Sequence, residues 1–151
     1  MQLYKDHEKR IIRKEVFDEE AKQLAEELVK AGLPSTQFRK FFGELRAIET
    51  RLRSDSSADS FEKAKPYLYL LAAKIHYQTR QDKRGAYAKL EKFFRGLIEQ
   101  VKDQKDFEVM TDAVQAVLAF FIAEDAKRKD GRQENKKKAG ARSSNPREGG
   151  R

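Results

Sequence analysis

Apolar residues recur at helical spacing in five stretches of the chain, and no strand-like alternation runs longer than a few residues. The first stretch spans about 18–31, with Ala21, Leu24, Ala25 and Leu28 three and four apart. Asp18, Glu19 and Glu20 at its start and Lys30 at its end suit the helix dipole. Gly32 then terminates it, and Pro34 follows where a helix cannot continue. The second stretch opens at Ser35, a good N-cap residue, and runs to about 53. Phe38, Phe41, Phe42, Leu45, Ile48 and Leu52 fall there within an arc of about 120° at 100° per residue. Residues 54–60, SDSSADS, read as a loop. A third helix is entered through FEKAKP, where Asp59 and Glu62 have capping-box spacing and Pro66 kinks the helix or opens its first turn. From Tyr67 to Tyr77 apolar residues go nearly all the way round, which places this helix at the centre of a bundle. A fourth helix spans about 85–102, with Tyr87, Leu90, Phe93, Phe94, Leu97, Ile98 and Val101 inward. A fifth spans about 106–126, with an inner stripe of Phe107, Met110, Val114, Val117, Leu118 and Phe121.

The two ends lack such patterns. Residues 1–15 are polar and basic apart from Ile11 and Ile12, and are expected to form a flexible lead-in, frayed or helical. Beyond Lys127 no apolar residue is larger than Ala, so 127–151 is expected to be a disordered basic tail. The expected fold is all-α, a single compact bundle of about five helices over 16–126. A chain of 151 residues buries enough surface to fold without staples. The absence of Cys excludes disulfides and thiolate metal sites and fits a reducing compartment. No apolar run approaches the roughly 18 residues of a membrane span, and the first residues have no apolar signal core, so a cytoplasmic location is expected.

Charge is unevenly placed. The formal net charge is +8, but ten Lys/Arg against four Asp/Glu over 125–151 account for +6 of it. The remainder is close to balance, so nucleic-acid binding by the folded part must come from where charges sit rather than from their sum.

The inventory argues against catalysis. His7 and His76 are the only histidines, and neither has a sequence-local partner for a nucleophile triad. His/Cys metal sites cannot be built, phosphate-cradling and dinucleotide glycine motifs are absent, and no metal or cofactor is expected. The Arg-then-His arrangement of one class of helical ribonuclease is also missing before His76, where Tyr69, Leu70, Leu71 and Ala72 stand. Acidic clusters such as 18–20 and 26–27 read as solvated helix faces.

Binding features remain. Arg39, Arg46 and Arg53 are seven apart, about 20° from one another around the helix, and form a ridge about 21 Å long beside the apolar arc. Their planar guanidiniums suit phosphate oxygens, although periodicity alone equally describes a solvated edge of helical ion pairs. Lys74 sits on an otherwise apolar helix and must reach the surface, pair, or face a charged ligand. Lys83, Arg84, Lys89, Lys92 and Arg95 make the outer face of the fourth helix basic, which is ordinary for a surface. Most aromatics lie at inward positions, which favours tracking of the phosphate backbone over base reading.

The segment from Ser35 to Arg46, STQFRKFFGELR, resembles the "T-S-Q-I-R-K-F-x-N-E-[VL]-R" segment of the small helical subunit of type III-A CRISPR (Csm) complexes. Residues 65–80, KPYLYLLAAKIHYQTR, look like that family's "L-K-P-K-L-A-Y-x-x-x-R" helix, and Phe107 with the helix from Ala113 to Phe121 resembles its closing helix. The resemblance covers about 18–124, with the hydroxyl pair inverted at Ser35-Thr36 and Gly43 where larger residues are common. It implies a non-catalytic RNA-binding scaffold subunit in antiviral defence. Such subunits stack along guide and target RNA and touch the backbone through Lys and Arg. Arg39, Lys40, Arg46, Lys74 and Arg80 lie in the two best-matching segments, and Arg53 extends the ridge. The implied partners are guide and target RNA, other subunits of the complex, and further copies of the chain as a homodimer or filament. A helical protein–protein adaptor without RNA contact is the alternative. Phe120 projects to a different side of the last helix from Phe121 and Val117, which makes it the expected self-association residue.

Overall fold

Residues 19–30 bury Ala21, Ala25, Leu28 and Val29 on one side of helix α1 (Glu19–Lys30). The computed structural model, which describes residues 1–143, shows why the helix stops there. Gly32 has φ +83°, a left-handed conformation that costs glycine little. Its N–H donates to Val29 O and that of Leu33 to Leu28 O, the paired bonds of a Schellman cap, with Leu28 and Leu33 both buried beneath. Arg84 and Arg128 each donate to a terminal carbonyl of α1, at Lys30 and Val29.

The remaining helices are α2 (Ser35–Ser54), α3 (Ser60–Gln78), α4 (Ala86–Ile98) and α5 (Gln104–Ser143). They ring one apolar core in the order α1, α5, α2, α3, α4, closing through a slight contact of α4 with α1. Phe38 stacks on Phe121 at 5.3 Å where α2 meets α5, and Phe94, Phe107, Leu45 and Leu90 are fully enclosed. The expected all-α bundle of five helices is thus what the chain forms, and no helix among the described residues is long and apolar enough to cross a membrane.

Local expectations change in four places. Helix α2 begins one residue after Pro34, so Ser35 is its first helical residue and not its cap. Asp59 precedes α3 without capping it, and pairs instead with Lys63 at 3.3 Å. Helix α3 begins at Ser60 and continues through Pro66, so Pro66 does not open it, and the helix is not central: Tyr67, Tyr69, Leu70 and Tyr77 are exposed, because in a ring each helix has one inward arc. Beyond Lys127, α5 continues as a helix to Ser143, exposed over 129–142. The bonding ladder is already nucleated in the core, helix-forming Ala, Lys and Arg follow, and Lys129 pairs with Asp125 at 3.0 Å. The last part of the expected tail, 144–151, lies outside the described residues.

Regular elements occupy much of the lead-in 1–15. Strands β1 (Tyr4–Asp6) and β2 (Ile11–Ile12) pair antiparallel, and a 3-10 turn over Lys14–Phe17 leads into α1. Leu3, Tyr4 and Val16 are buried. The anchor is Asp106, 1% exposed at the start of α5. It accepts from Tyr4 Oη at 2.6 Å, Arg10 Nη1 at 3.1 Å and Lys102 N–H at 3.0 Å, and lies 2.9 Å from His7 Nε2, whose ring stacks on Tyr4. Arg10 also pairs with Asp103. The Gln100 side chain accepts from Leu3 N–H and donates to Met1 O, completing the clasp.

This clasp has an acid limit. Burial alone would raise the Asp106 carboxyl, but bonds from Tyr4, the Lys102 N–H and His7 outweigh it and leave it lowered. The Arg10 bond brings Asp103 from 3.8 to about 2. A depressed carboxylate stabilises the fold fully above its unfolded value and loses that effect as pH falls through the folded value. The melting temperature should therefore drop between pH 3.8 and about 2, with Asp103→Asn flattening that drop while lowering the plateau above it. Asp106→Ala should cost about 2–4 kcal/mol in urea unfolding at neutral pH.

Candidate nucleic-acid interface

Helix α2 positions most of the candidate cations. Its buried arc of Phe38, Phe41, Leu45, Ile48 and Leu52 is wedged between α3 and α5, so residues on either edge of the arc flank one neighbour or the other. At 100° per residue, Arg39, Arg46 and Arg53 lie on one flank, and Lys40, Glu44 and Arg51 on the opposite one. The six sequence candidates therefore do not form one row. Arg39, Arg46 and Arg53 keep their ridge on the α5 side. Lys74 of α3 meets the other flank of α2, and Arg80 stands in the 3-10 turn over Thr79–Gln81 at the far end of α3.

The ridge is half committed to ion pairs. Glu49, 5% exposed, takes Arg46 at 3.1 Å on one oxygen and Arg53 at 2.7 Å on the other. Asp112 of α5 stands close by. Partial desolvation and then the charge of Glu49 raise its carboxyl, while Arg46 and Arg53 act to lower it. Arg46 also lies over the Phe42 ring at 5.5 Å. Both guanidiniums remain largely exposed, at 46% and 63%, and keep outward donors beyond those that Glu49 uses. Arg39 and Lys40 are exposed at the start of the helix, and no ion pair holds either among the described residues.

Lys74 resolves its awkward position by pairing with Glu44 at 3.3 Å across α2 and α3. The second Glu44 oxygen and the Gln37 Oε1, both on that flank, are buried without a protein partner. Arg80 lies over the Tyr77 ring at 4.0 Å. The basic outer face of α4 is offset in part: Arg95 pairs with Glu91 at 2.8 Å, Lys89 approaches Glu27 at 3.9 Å, and the exposed His76 lies 2.8 Å from Glu91. Phe120 is half-buried and packs against the core. Sequence reasoning missed the exposed Tyr67, Tyr69, Leu70 and Tyr77 of α3. Lys74 in their midst was the available signal, since a cation there marks a face that reaches water.

A family model described as Csm2 Type III-A matches residues 13–127, an interval that holds all six candidate cations and Phe120. The chain belongs to the Csm2 family. It is accordingly a subunit of the type III-A CRISPR effector complex, acts in antiviral defence, and associates with other Csm subunits. Comparison with curated proteins and with solved structures returned no match. The extension of α5 beyond Lys127 falls outside the family match.

The ridge divides into structural and free members, which unfolding can separate. Glu49→Ala should destabilise the fold by about 1–2 kcal/mol in urea. Arg39→Ala should stay within about 0.5 kcal/mol of the parent.

Proposed function

We propose that this Csm2-family chain is a non-catalytic RNA-binding scaffold subunit that touches the guide and target RNA backbone and neighbouring subunits. The observation that carries this reading is the α2 ridge. Two guanidiniums are held on one buried carboxylate with donors facing out, beside the uncommitted Arg39, while the uncommitted Lys40 is exposed on the opposite flank of the helix. Such orientation lowers the ordering cost of each phosphate contact. The folded part is nearly balanced in charge, so contact depends on this placement and each copy covers few phosphates.

The test is RNA binding read against salt, with a chain ended after Arg132 to remove six of the ten basic tail residues while keeping the Arg128 bond to α1. Binding should weaken steeply with salt and show little sequence preference. Arg39→Ala with Lys40→Ala should reduce the slope of log affinity against log salt by about 1–2. If RNA adducts in the assembled complex never map to this chain, the adaptor reading replaces this one.

Stacking of copies requires a self-contact, for which Phe120 on α5 is the proposed residue. Phe120→Ser should shift the protein toward monomer in sedimentation at tens of micromolar with helicity retained. A parent chain that is monomeric there removes this part of the proposal and leaves the RNA reading intact.

A further inference from the structure

Helix α3 turns a row of side chains to solvent. Tyr67, Leu70, Lys74 and Tyr77 follow at spacings of three, four and three, which makes one stripe. Tyr67, Leu70 and Tyr77 are 48%, 50% and 58% exposed, and Tyr69 is also exposed, about 120° around the helix from the stripe. The aromatics divide by type: every Phe except Phe17 is buried or half-buried, whereas three of the five Tyr are exposed on this one helix. Two of these rings already carry a guanidinium. Arg51 of α2 lies 5.4 Å from the centroid of Tyr67, and Arg80 lies 4.0 Å from that of Tyr77. A groove of about 150 Å³ runs between α2 and α3, lined by Glu44, Ala47, Arg51, Tyr67, Leu70 and Lys74.

We propose that this stripe is a stacking platform for the unpaired bases of single-stranded RNA, with Arg51, Lys74 and Arg80 on the adjoining phosphates. The inference rests on the RNA-binding reading above and adds base contact to backbone contact. Rings and guanidinium planes both stack on bases. Tyr67 and Tyr77 are ten residues apart, about 15 Å along the helix, or roughly four nucleotide steps of 3.4 Å. The surface suits a partner that combines flat apolar faces with negative charge, because Arg51 and Arg80 remain in excess once Lys74 and Glu44 are paired. Glu44 is taken up by Lys74, and Glu62 stands only at the first turn of α3. A single strand has both properties, while a duplex hides its bases in the stack. Arg51 is about 140° around α2 from Arg46, so the platform is a surface separate from the ridge.

The experiment compares binding of the full chain to an oligouridylate and to an abasic ribose-phosphate oligomer of equal length at matched salt. The two share their phosphates, so the basic tail contributes equally to both. The parent should prefer the base-bearing strand by about tenfold for each ring engaged. Tyr67→Ala with Tyr77→Ala should abolish the preference while leaving affinity for the abasic strand and its salt slope unchanged. Tyr67→Phe with Tyr77→Phe should retain it, and since both positions are exposed, circular dichroism should show both variants folded. Equal binding of the two oligomers by the parent overturns the platform and leaves backbone binding standing. Binding to neither, with no adducts in the assembled complex, overturns both. An unchanged preference in the Ala variant, with a shift from oligomer to monomer, assigns the face to a second copy of the chain instead.

Discussion

The inward arc of α2 is the constraint from which the charge pattern of the molecule follows. Five large side chains, Phe38, Phe41, Leu45, Ile48 and Leu52, are buried between α3 and α5. Each contributes about 1.5–3 kcal/mol, whereas an exposed ion pair contributes about 1 or less. The core therefore fixes the rotation of the helix, and the charges go where that rotation sends them. With 3.6 residues per turn, the ridge must face the α5 side and Lys40, Glu44 and Arg51 the α3 side. Glu49 falls at the very edge of the arc, deep enough to be nearly enclosed and shallow enough for Arg46 and Arg53 to reach it.

A ring of helices with a slight contact at one seam needs a second fastening, and the N-terminal hairpin supplies it. Its backbone is tied to the end of α4 through Gln100 and its side chains to the start of α5 through Asp106. Arg13 reaches Glu20 of α1 with both terminal nitrogens at 3.2 Å. One short segment thus joins α1, α4 and α5. Asp106 can be buried as a carboxylate because four donors or near-donors surround it, so the clasp is specific as well as apolar.

The helices were legible in the sequence because each has a strong periodic stripe, and the helix-ending role of Gly32 was legible because its chemistry is local. The hairpin was not, since its strands have three and two residues and its partners lie 93 to 102 positions away. For α3 the pattern was visible but its meaning was not. Apolar residues on two sides of a helix describe equally a central helix and one that faces the core on one side and a partner on the other. Tyrosine favours the second case, since its hydroxyl resists full enclosure. Within the candidate interface, the alignment of the ridge follows from its seven-residue spacing, but its commitment to Glu49 depends on rotamers that spacing does not specify. The pairing of Lys74 with Glu44 spans two helices and was likewise beyond local pattern.

The division of charge between body and tail separates two kinds of RNA affinity on the proposed reading. A tail that holds +6 of the net charge attracts any polyanion through counterion release, whatever its shape. The body is close to neutral and offers few uncommitted cations, so a single copy has little attraction to spend on register or strand. Repetition changes this balance. When copies are held side by side by protein contacts, each further ridge meets RNA that is already close by, and the effective concentration multiplies affinity without new contacts. Oriented guanidiniums then matter more than numerous ones, because a repeated weak contact adds up along a strand only if every copy presents the same geometry. Fixing Arg46 and Arg53 on Glu49 sacrifices part of their charge in exchange for that uniformity, which suits a scaffold better than an isolated RNA-binding protein.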